Sequence, residues 1–327
     1  MNANPGSISA RRPPWRRALL RLDAQIASWA RRRGAWAVAV HELFWFGFKQ
    51  AWACLFGGLM VAMLFATWRW YPHDAALARY DFLTLAAVSI QALLIGLRLE
   101  TRREAVVICL FHGVGTLMEV FKTAVGSWIY PEHSLLHIGG VPLFSGFMYA
   151  SIGSYIARAW RVFEFRFDQH PPVALCLALS IGIYVNFFAH HFLPDLRVLL
   201  FAGVLLTFGR TWVHYRVRGE YRRMPLLLGF FLVAAFIWLA ENAGTFTRAW
   251  QYPSQRNGWT LVPWGKLGAW LLLMILSYSM VAALHRRTLQ ARAQWPRPRR
   301  GATLSAPPGL PQARELNVPQ DMHDCRL

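Results

Sequence analysis

The sequence is poor in acidic residues and in cysteine. Only 16 of its 327 residues are Asp or Glu, against 35 Lys and Arg, which gives a formal net charge of +19. Its four cysteines stand singly, three of them inside apolar runs, with no Cys-x-x-Cys pair and no zinc-type Cys/His spacing. Neither a disulfide framework nor a structural zinc site is therefore expected.

Several well-known functional motifs are also missing from the sequence. It has no phosphate-binding loop ending in Gly-Lys-Ser/Thr, no dinucleotide fingerprint and no Gly-x-Ser-x-Gly elbow. No apolar region with a small-residue cleavage site follows the first arginines, so a signal peptide is not expected. The sequence identifies no cofactor.

Apolar residues are abundant and lie in long runs. Hydrophobic residues make up 55% of the chain and charged residues 16%, a composition typical of a polytopic membrane protein. We therefore predict an all-α bundle of eight transmembrane helices. The predicted spans are 44–68, 82–98, 105–121, 141–158, 173–192, 196–213, 225–242 and 264–284.

The distribution of positive charge predicts the orientation of these spans. With the N-terminus in the cytoplasm, 27 of the 35 Lys and Arg fall in cytoplasmic segments, seven fall in outer loops, and Lys49 lies within the first span. Cytoplasmic loops of membrane proteins carry this excess. We predict that both termini lie in the cytoplasm. The net charge then needs no nucleic-acid partner, and the expected partner is the lipid bilayer.

The chain divides into three predicted regions. Residues 1–42 form a basic cytoplasmic segment, in which Trp15–Trp36 is either a helix lying on an anionic membrane surface or a solvated basic tail. Residues 43–285 form the membrane domain. Residues 286–327 are rich in Pro and Arg, and we expect a disordered cytoplasmic tail.

One sequence pattern occurs twice. EVFKTAVGSWIYP (119–131) and ENAGTFTRAWQYP (241–253) share Glu, Trp, Tyr and Pro at the same spacing, and a Val-Pro follows each copy at 141–142 and 262–263. These six identities recur at an offset of 121 or 122 residues. An internal repeat of this length indicates duplicated architecture.

The two copies are separated by four predicted spans, so both halves have the same orientation. We predict a parallel 4+4 duplication with halves at about 43–158 and 173–285, related by a pseudo-twofold axis along the membrane normal.

Glu119 and Glu241 are the leading candidates for chemistry. They end the third and seventh predicted spans, where an ionisable side chain costs up to roughly 2.5–3.5 kcal/mol. The two carboxylates either form an acid/base or cation-binding pair across the pseudo-twofold axis, or each holds its own loop by accepting hydrogen bonds from that loop's backbone or an indole N–H.

A second candidate cluster is the stretch NFFAHHFLPDLR (186–197). It contains Asn186, His190, His191 and Asp195, on the same side of the membrane as both glutamates. Histidine with carboxylate suits acid/base catalysis or a divalent metal, and histidines in interfacial water are the alternative. His133 and His137 have a one-turn ligand spacing, but no metal motif accompanies them, so we assign no metal site.

Aromatic residues of the repeat are candidates for substrate binding. Trp128, Tyr130, Trp250 and Tyr252 are either walls for an apolar ligand or part of an aromatic belt at the membrane interface. His112, two helical turns before Glu119, and Asn242, directly after Glu241, are added to this set.

Five stretches resemble the YoaT-like family of bacterial membrane proteins of unknown function. They are ELFWFGFKQAWACLFGG (42–58), MEVFKTAVGSWIYPEHSLLHIGGVPLFSGFMYASIGSYI (118–156), NFFAHHFLPDLR (186–197), FGRTWVHYRV (208–217) and WLAENAGTFTRAWQYP (238–253). The resemblance implies a multi-pass inner-membrane protein and supplies no catalytic residues.

A looser similarity links the repeat to the carotenoid-biosynthesis hydratases and small membrane lycopene cyclases. It consists of an acidic residue that ends a span, a following Trp-x-Tyr and a Pro that opens the next span. The cyclases place paired glutamates just after that proline. Here Pro142 is followed by Leu-Phe and Pro263 by Trp-Gly, which leaves only generic acid catalysis as an implication.

These features lead to three functional hypotheses. The first is a membrane enzyme that acts on a lipophilic, for example isoprenoid, substrate by carboxylate acid/base chemistry. The second is a transporter or channel for a small solute or an ion. The third is a non-catalytic membrane scaffold in which the repeat is structural.

Overall fold

The computed structural model describes residues 14–72, 74–286 and 289, and within them the chain is mainly helical. The predicted tail at 286–327 thus lies almost wholly outside the described residues, as do residues 1–13. The described residues contain ten α-helices: α1 Pro14–Arg33, α2 Ala35–Ala53, α3 Leu55–Trp70, α4 Arg79–Gly96, α5 Arg102–Ala124, α6 Phe144–Val162, α7 Val173–Ala189, α8 Arg197–Phe208, α9 Leu226–Phe246 and α10 Gly265–Leu284.

Each of the eight predicted spans coincides with helix, but fewer meet the length and hydropathy of a span by themselves. In the described residues, α4, α5, α9 and α10 are long and apolar enough to cross a membrane. The α2–α3 pair makes a fifth if it is one broken span, with a bend of 73° at the break. Helices α7 and α8 have only 17 and 12 residues, and α6 is not among the qualifying helices.

The all-α prediction needs one correction, because five short strands are also present. They are β1 His137–Ile138, β2 Val141–Pro142, β3 Arg166–Asp168, β4 Trp212–Arg216 and β5 Tyr221–Pro225. Strands β1 and β2 form an antiparallel pair, and β3, β4 and β5 form an antiparallel sheet in that order.

Strand β4 explains why the predicted span 196–213 is too long. Helix α8 ends at Phe208, and the chain continues into β4, in which Val213 and Tyr215 alternate with His214 and Arg216. Such alternation favours a strand over a helix. Its register pairs Val213 with Phe167 of β3 and with Met224 of β5.

The chain divides into two compact units. The described part of the first unit, residues 14–48, contains α1 and most of α2, and Trp45 there donates its indole N–H to Asp23 at 2.8 Å. The second unit begins at Lys49 and contains the other helices and all five strands.

Close packing of α5 against α6 forms the centre of the second unit. A Cβ atom at Gly115 would lie 2.6 Å from the side chain of Tyr149, and one at Gly153 would lie 2.6 Å from the ring of Phe111. Glycine at these two positions lets the helix axes approach. Helix α10 then packs against α6, α7 and α9, with Ile275 and Tyr278 in the shared apolar core.

The second unit has two distinct ends. At one end lie the long connections 125–143 and 247–264, which we call the loop end. At the other lies the sheet β3–β4–β5, which we call the sheet end. Helices α5, α7 and α9 terminate at the loop end, and α6, α8 and α10 begin there, so several connections supply side chains to one region.

Candidate functional site

The carboxylate of Glu119 is held by three aromatic side chains. Its Oε2 accepts hydrogen bonds from the indole N–H of Trp128 at 2.7 Å and the hydroxyl of Tyr130 at 2.5 Å. Its Oε1 accepts from the hydroxyl of Tyr149, in α6, at 2.7 Å. Glu119 therefore connects the end of α5 to the loop that follows it and to the next helix.

Glu241 has the corresponding arrangement in the second copy. Its Oε1 accepts a short hydrogen bond from the hydroxyl of Tyr252, and its Oε2 accepts from the indole N–H of Trp270, in α10, at 2.5 Å. Tyr252 is the counterpart of Tyr130 at an offset of 122, and Trp270 is the counterpart of Tyr149 at an offset of 121. Two of the three contacts of Glu119 thus recur at Glu241, one of them with tryptophan in place of tyrosine, whereas Trp250, the counterpart of Trp128, packs in the cluster around Tyr80.

Burial keeps the two loop tyrosines in their donor form. Burial, followed by the adjacent Glu119 carboxylate, raises the pKa of Tyr130 well above its ordinary value. Burial and the Glu241 carboxylate do the same for the pKa of Tyr252. Both hydroxyls thus remain protonated and donate to the glutamates throughout the physiological pH range.

The two loops contact each other at equivalent positions. Ile129 and Gln251 exchange a pair of backbone hydrogen bonds, each 2.9 Å long, in an antiparallel bridge. The ring of Trp128 meets that of Tyr252 edge-on, with centroids 5.9 Å apart. The partners of Glu119 and Glu241 therefore belong to one continuous aromatic cluster.

Neither glutamate forms an ion pair within the described part of the chain. Glu119 is 5% exposed and Glu241 is 4% exposed, yet no Lys, Arg or His nitrogen described by the structure lies within 4.0 Å of either carboxylate. Glu119 holds its own loop through the Trp128 indole N–H and the Tyr130 hydroxyl, and Glu241 holds its own loop through the Tyr252 hydroxyl, while the indole that donates to Glu241 belongs to α10.

The Asn186–Asp195 segment is a compact turn. Asn186 donates to Asp195 Oδ1 at 3.1 Å and accepts from the Leu196 N–H at 2.9 Å. Arg197 pairs with Asp195 Oδ2 at 2.8 Å. Burial alone would raise the pKa of Asp195, but the hydrogen bonds from Asn186 and the Arg197 amide, with the charge of Arg197, hold it below its ordinary value.

His190 and His191 contact a lysine from the first half of the chain. The Nζ of Lys122 lies 2.7 Å from Nε2 of His191 and 3.5 Å from Nε2 of His190. Nδ1 of His190 lies 2.9 Å from the Asn186 carbonyl oxygen, so this nitrogen carries the proton and Nε2 is left to accept. Desolvation and the positive charge of Lys122 lower the pKa of His191.

A cavity of about 270 Å³ lies beside this turn. Three of the sequence-predicted site residues line it: Trp128, Asn186 and His190. Its other lining residues are Lys122, Ile183, Phe187, Arg197, Pro263, Gly265, Lys266, Ala269, Leu272 and Leu273. The lining thus combines basic and apolar residues.

Lys122 and Lys266 give the cavity its charge. Lys122 is 3% exposed, and besides the two histidines its Nζ lies 4.1 Å from the ring centroid of Phe187. The Nζ of Lys266 lies over the rings of Trp128 and Tyr252, at 5.1 and 4.3 Å from their centroids. Among the described residues, neither lysine has a carboxylate oxygen within 4.0 Å.

The other predicted substrate-binding residues lie away from the cavity. His112 stacks on Phe147 of α6 with ring centroids 4.4 Å apart. Trp250 packs in the apolar cluster around Tyr80. Asn242 accepts from the Val262 N–H at 2.9 Å and ties the end of α9 to the segment before α10.

The two histidines of the first long loop are not part of this site either. His133 and His137 are both exposed, and Nδ1 of His137 lies 2.7 Å from the Ser134 carbonyl oxygen. In the part of the chain that the structure describes, no three His, Cys, Asp or Glu side chains group closely enough to hold a metal ion.

Sequence reasoning missed several residues that shape the site. Lys122, Lys266 and Arg197 were counted only as outer-loop charges, although a lysine near an apolar span is as unusual as a glutamate there. Tyr149 and Trp270 carry the clearest missed signal, because continuing the repeat past its Val-Pro places them at equivalent positions. Asp81, which accepts from the backbone of Leu135 and Leu136, gave no such signal.

Comparison with known proteins finds one protein family, one related protein and one distant structure. Residues 42–278 match the family described as "Protein of unknown function (DUF817)". The chain is 45% identical to "Uncharacterized protein YoaT" of Bacillus subtilis (strain 168) over 246 residues, which are 75% of this chain and 92% of that protein. A crystal structure of a cross-linked MvINS trimer aligns with a TM-score of 0.39 and 15% identity, over 60% of this chain and 98% of that one.

These matches confirm the resemblance to the YoaT-like proteins. The looser similarity to carotenoid hydratases and cyclases is not among them, and it stays a prediction. With four to five helices able to cross a membrane among its described residues, the chain is a helical membrane protein. It belongs to the YoaT-like family whose members are described as proteins of unknown function (DUF817).

Proposed function

We propose that this is a multi-pass inner-membrane protein that binds a lipophilic small molecule in the loop-end cavity. In this proposal the chain crosses the membrane eight times, both termini are cytoplasmic, and the loop end faces outwards. Binding is the step that a membrane enzyme and a transporter share. The observation that carries the proposal is the cavity itself, which lies among the span ends and has the mixed lining typical of small-molecule sites.

The proposed duplication is supported by matched contacts in the two halves. Helices α3 to α6 would correspond to α7 to α10. Helix α3 packs on α6 as α7 packs on α10, and α5 packs on α6 as α9 packs on α10. The reciprocal bridge between Ile129 and Gln251 joins equivalent residues, as expected close to a twofold axis.

A topology of eight spans requires that the short helices α7 and α8 also cross the membrane. At 1.5 Å per residue, α7 is about 26 Å long and α8 about 18 Å, against roughly 30 Å of hydrocarbon. Beyond α8, the backbone of β4 is hydrogen-bonded on both sides by β3 and β5. A non-helical segment with satisfied backbone groups is tolerated at membrane depth where protein surrounds it. The basic sheet end would face the cytoplasm, in accordance with the positive-inside rule.

Glu119 and Glu241 have a positioning role in this proposal. The oxygens of both carboxylates already accept hydrogen bonds, and neither residue lines the cavity. Instead, Glu119 fixes the indole of Trp128, whose ring is part of the cavity wall. Acid/base catalysis by the two glutamates stays a prediction, and the geometry supports ligand binding better.

Photolabelling tests whether a lipophilic ligand occupies the cavity. The purified protein in nanodiscs would be labelled with two diazirine probes of the same chain length, a fatty alcohol and a fatty acid. We expect label in peptides that contain residues 263–273, because six residues of this segment line the cavity.

A pair of tryptophan variants provides the control. Ala269→Trp fills the cavity and should abolish labelling by both probes. Leu206→Trp places the same side chain on an 86% exposed position of α8 and should leave labelling unchanged. Equal labelling of wild type and Ala269→Trp, with unchanged thermal stability, would contradict the proposal.

A further inference from the structure

We propose that the ligand of the loop-end cavity is an amphiphilic anion. Lys122, Lys266 and Arg197 hold its carboxylate or phosphate headgroup, and its hydrocarbon part lies along Ile183, Leu272 and Leu273. This inference rests on the proposed function, because it specifies the chemistry of the molecule that the same cavity binds.

The environment of Lys122 is the first step of the argument. An ammonium group withdrawn from water costs several kcal/mol unless an opposite charge and hydrogen bonds compensate it. Lys122 is almost fully buried, and the groups that contact its Nζ are two imidazoles and a phenyl ring. An anion beside it would supply the missing charge.

The surrounding charges reinforce this need. The charged groups that act on Lys122 are Lys266 and Arg197, both positive, and Asp195. Asp195 is already engaged by Arg197, by the Arg197 amide and by Asn186. Among the described residues, three cations and no carboxylate line the cavity, so its lining is basic.

Lys266 extends the basic side to the start of α10. It is the second residue of this 20-residue helix, and Pro263 and Gly265 beside it also line the cavity. The partial positive charge at a helix N-terminus adds to that of the lysine. Glu241 and Glu119 act on Lys266 electrostatically, but from beyond ion-pair distance, so Lys266 remains available to a closer anion.

The apolar residues of the lining determine the rest of the ligand. Ile183 of α7 and Leu272 and Leu273 of α10 are buried apolar residues that also line the cavity. A small hydrophilic anion would leave this surface in contact with water. An alkyl chain would cover it, at roughly 25 cal/mol for each Å² of apolar surface buried.

The test compares ligands that differ only in their headgroup. Palmitate, hexadecyl phosphate and hexadecanol share one hydrocarbon chain, and inorganic phosphate carries the charge alone. Binding to the full-length protein in nanodiscs of neutral lipid would be measured by calorimetry. We expect both anionic amphiphiles to bind about 10- to 100-fold more tightly than hexadecanol, as expected for charge-assisted contacts.

Lysine variants assign the effect to this cavity. Lys122→Met should abolish the preference for palmitate over hexadecanol, and Lys122→Arg should restore most of it. Lys49→Met is the matched control, because Lys49 donates to the backbone carbonyls of Val162 and Arg216 at the sheet end. If Lys122→Met unfolds, Lys266→Met serves for the same measurement.

The outcomes separate this inference from the proposed function. If hexadecanol binds as tightly as palmitate and Lys122→Met changes neither affinity, the anionic headgroup is wrong and a lipophilic cavity remains. If inorganic phosphate binds as tightly as hexadecyl phosphate, the site takes a free anion and the amphiphile is wrong. If none of the probes binds, the proposed function itself fails.

Discussion

At the sheet end the carboxylate of Glu100 lies 2.7 Å from the guanidinium of Arg158, whereas Glu119 and Lys122 at the loop end have separate, uncharged partners. The side chains of Glu100 and Arg158 are each 1% exposed, so this pair is as deeply buried as the groups at the other end. Gln91 and Ser154 complete the hydrogen bonds of the Glu100 carboxylate.

This contrast distinguishes a neutralised buried pair from buried charges that are kept apart. A buried carboxylate and guanidinium that face each other cancel most of each other's electric field. Little electrostatic potential then remains to attract a charged ligand. At the loop end the acids are surrounded by Tyr and Trp donors, and the lysines by rings and imidazoles. Unneutralised buried charge of this kind is characteristic of functional sites.

The largest expected effect comes from removing one buried cation at each end. Arg158→Met would leave the Glu100 carboxylate buried without its cation, and we expect a loss of about 3–5 kcal/mol in the free energy of unfolding. Lys122→Met removes a buried charge that faces no carboxylate, so in the ligand-free protein we expect no loss, or a gain of about 1 kcal/mol. Denaturant unfolding in the same detergent measures both.

A double variant is the control for this comparison. Glu100→Gln combined with Arg158→Met removes both charges of the sheet-end pair and should recover most of the lost stability, because an uncharged pair of similar volume is often as stable. If Arg158→Met and Lys122→Met destabilised the protein equally, the buried cations at the two ends would not differ in how far a carboxylate neutralises them.

The sequence was sufficient to predict the helices and to identify the two glutamates at unusual positions. Each predicted span falls on helix, because long apolar runs have few alternatives to helix, but only four or five of the described helices are long and apolar enough to cross a membrane. The spacing of the repeat singled out Glu119 and Glu241, and it predicted that an indole could bond to a glutamate.

Other features depend on tertiary contacts that no local pattern encodes. The Lys122 side chain became a candidate only when α5 met the turn after α7, which lies almost 70 residues away in the sequence. The strand β4 replaced the end of a predicted span, because its pairing with β3 outweighs the apolar character of Trp212 and Val213. From the sequence, Trp250 and Tyr130 were candidates for ligand binding on the same grounds as Trp128. Their packing in the structure shows that only Trp128 of the three lines the cavity.

A smaller effect is expected from making the two glutamates neutral. Glu119→Gln loses acceptor capacity for one of three donors, and Glu241→Gln for one of two, since the carboxamide nitrogen cannot accept. We expect each to cost about 1–3 kcal/mol, the range for a buried donor left unpaired, with no ion pair to lose.

Tyrosine and tryptophan fluorescence together with denaturant unfolding would check this. Glu100→Gln is the matched control at the sheet end, because the same substitution there removes the partner of Arg158 and should cost more. If Glu119→Gln proved as damaging as Glu100→Gln, an undetected cation at the loop end would be the better explanation.

The smallest expected effect is a pH dependence at the loop end. His191 accepts from Lys122 when neutral, and the groups that face it are Lys122 and Lys266, with His190 beside it and Asp195 in the following turn. Because its pKa is lowered in the fold, the unfolded chain binds a proton more readily. Stability should therefore be complete above the ordinary histidine pKa of about 6.5 and decline below it.

Because His191 is exposed to solvent, the decline should stay below about 1 kcal/mol. His191→Asn should make unfolding less sensitive to pH between 7 and 5 than it is in the wild type. An anion bound beside Lys122 would favour the protonated imidazole, so palmitate should bind more tightly as the pH falls through this interval. If the affinity for palmitate were constant with pH in both the wild type and His191→Asn, protonation of His191 would not contribute to the charge that the ligand meets in the cavity.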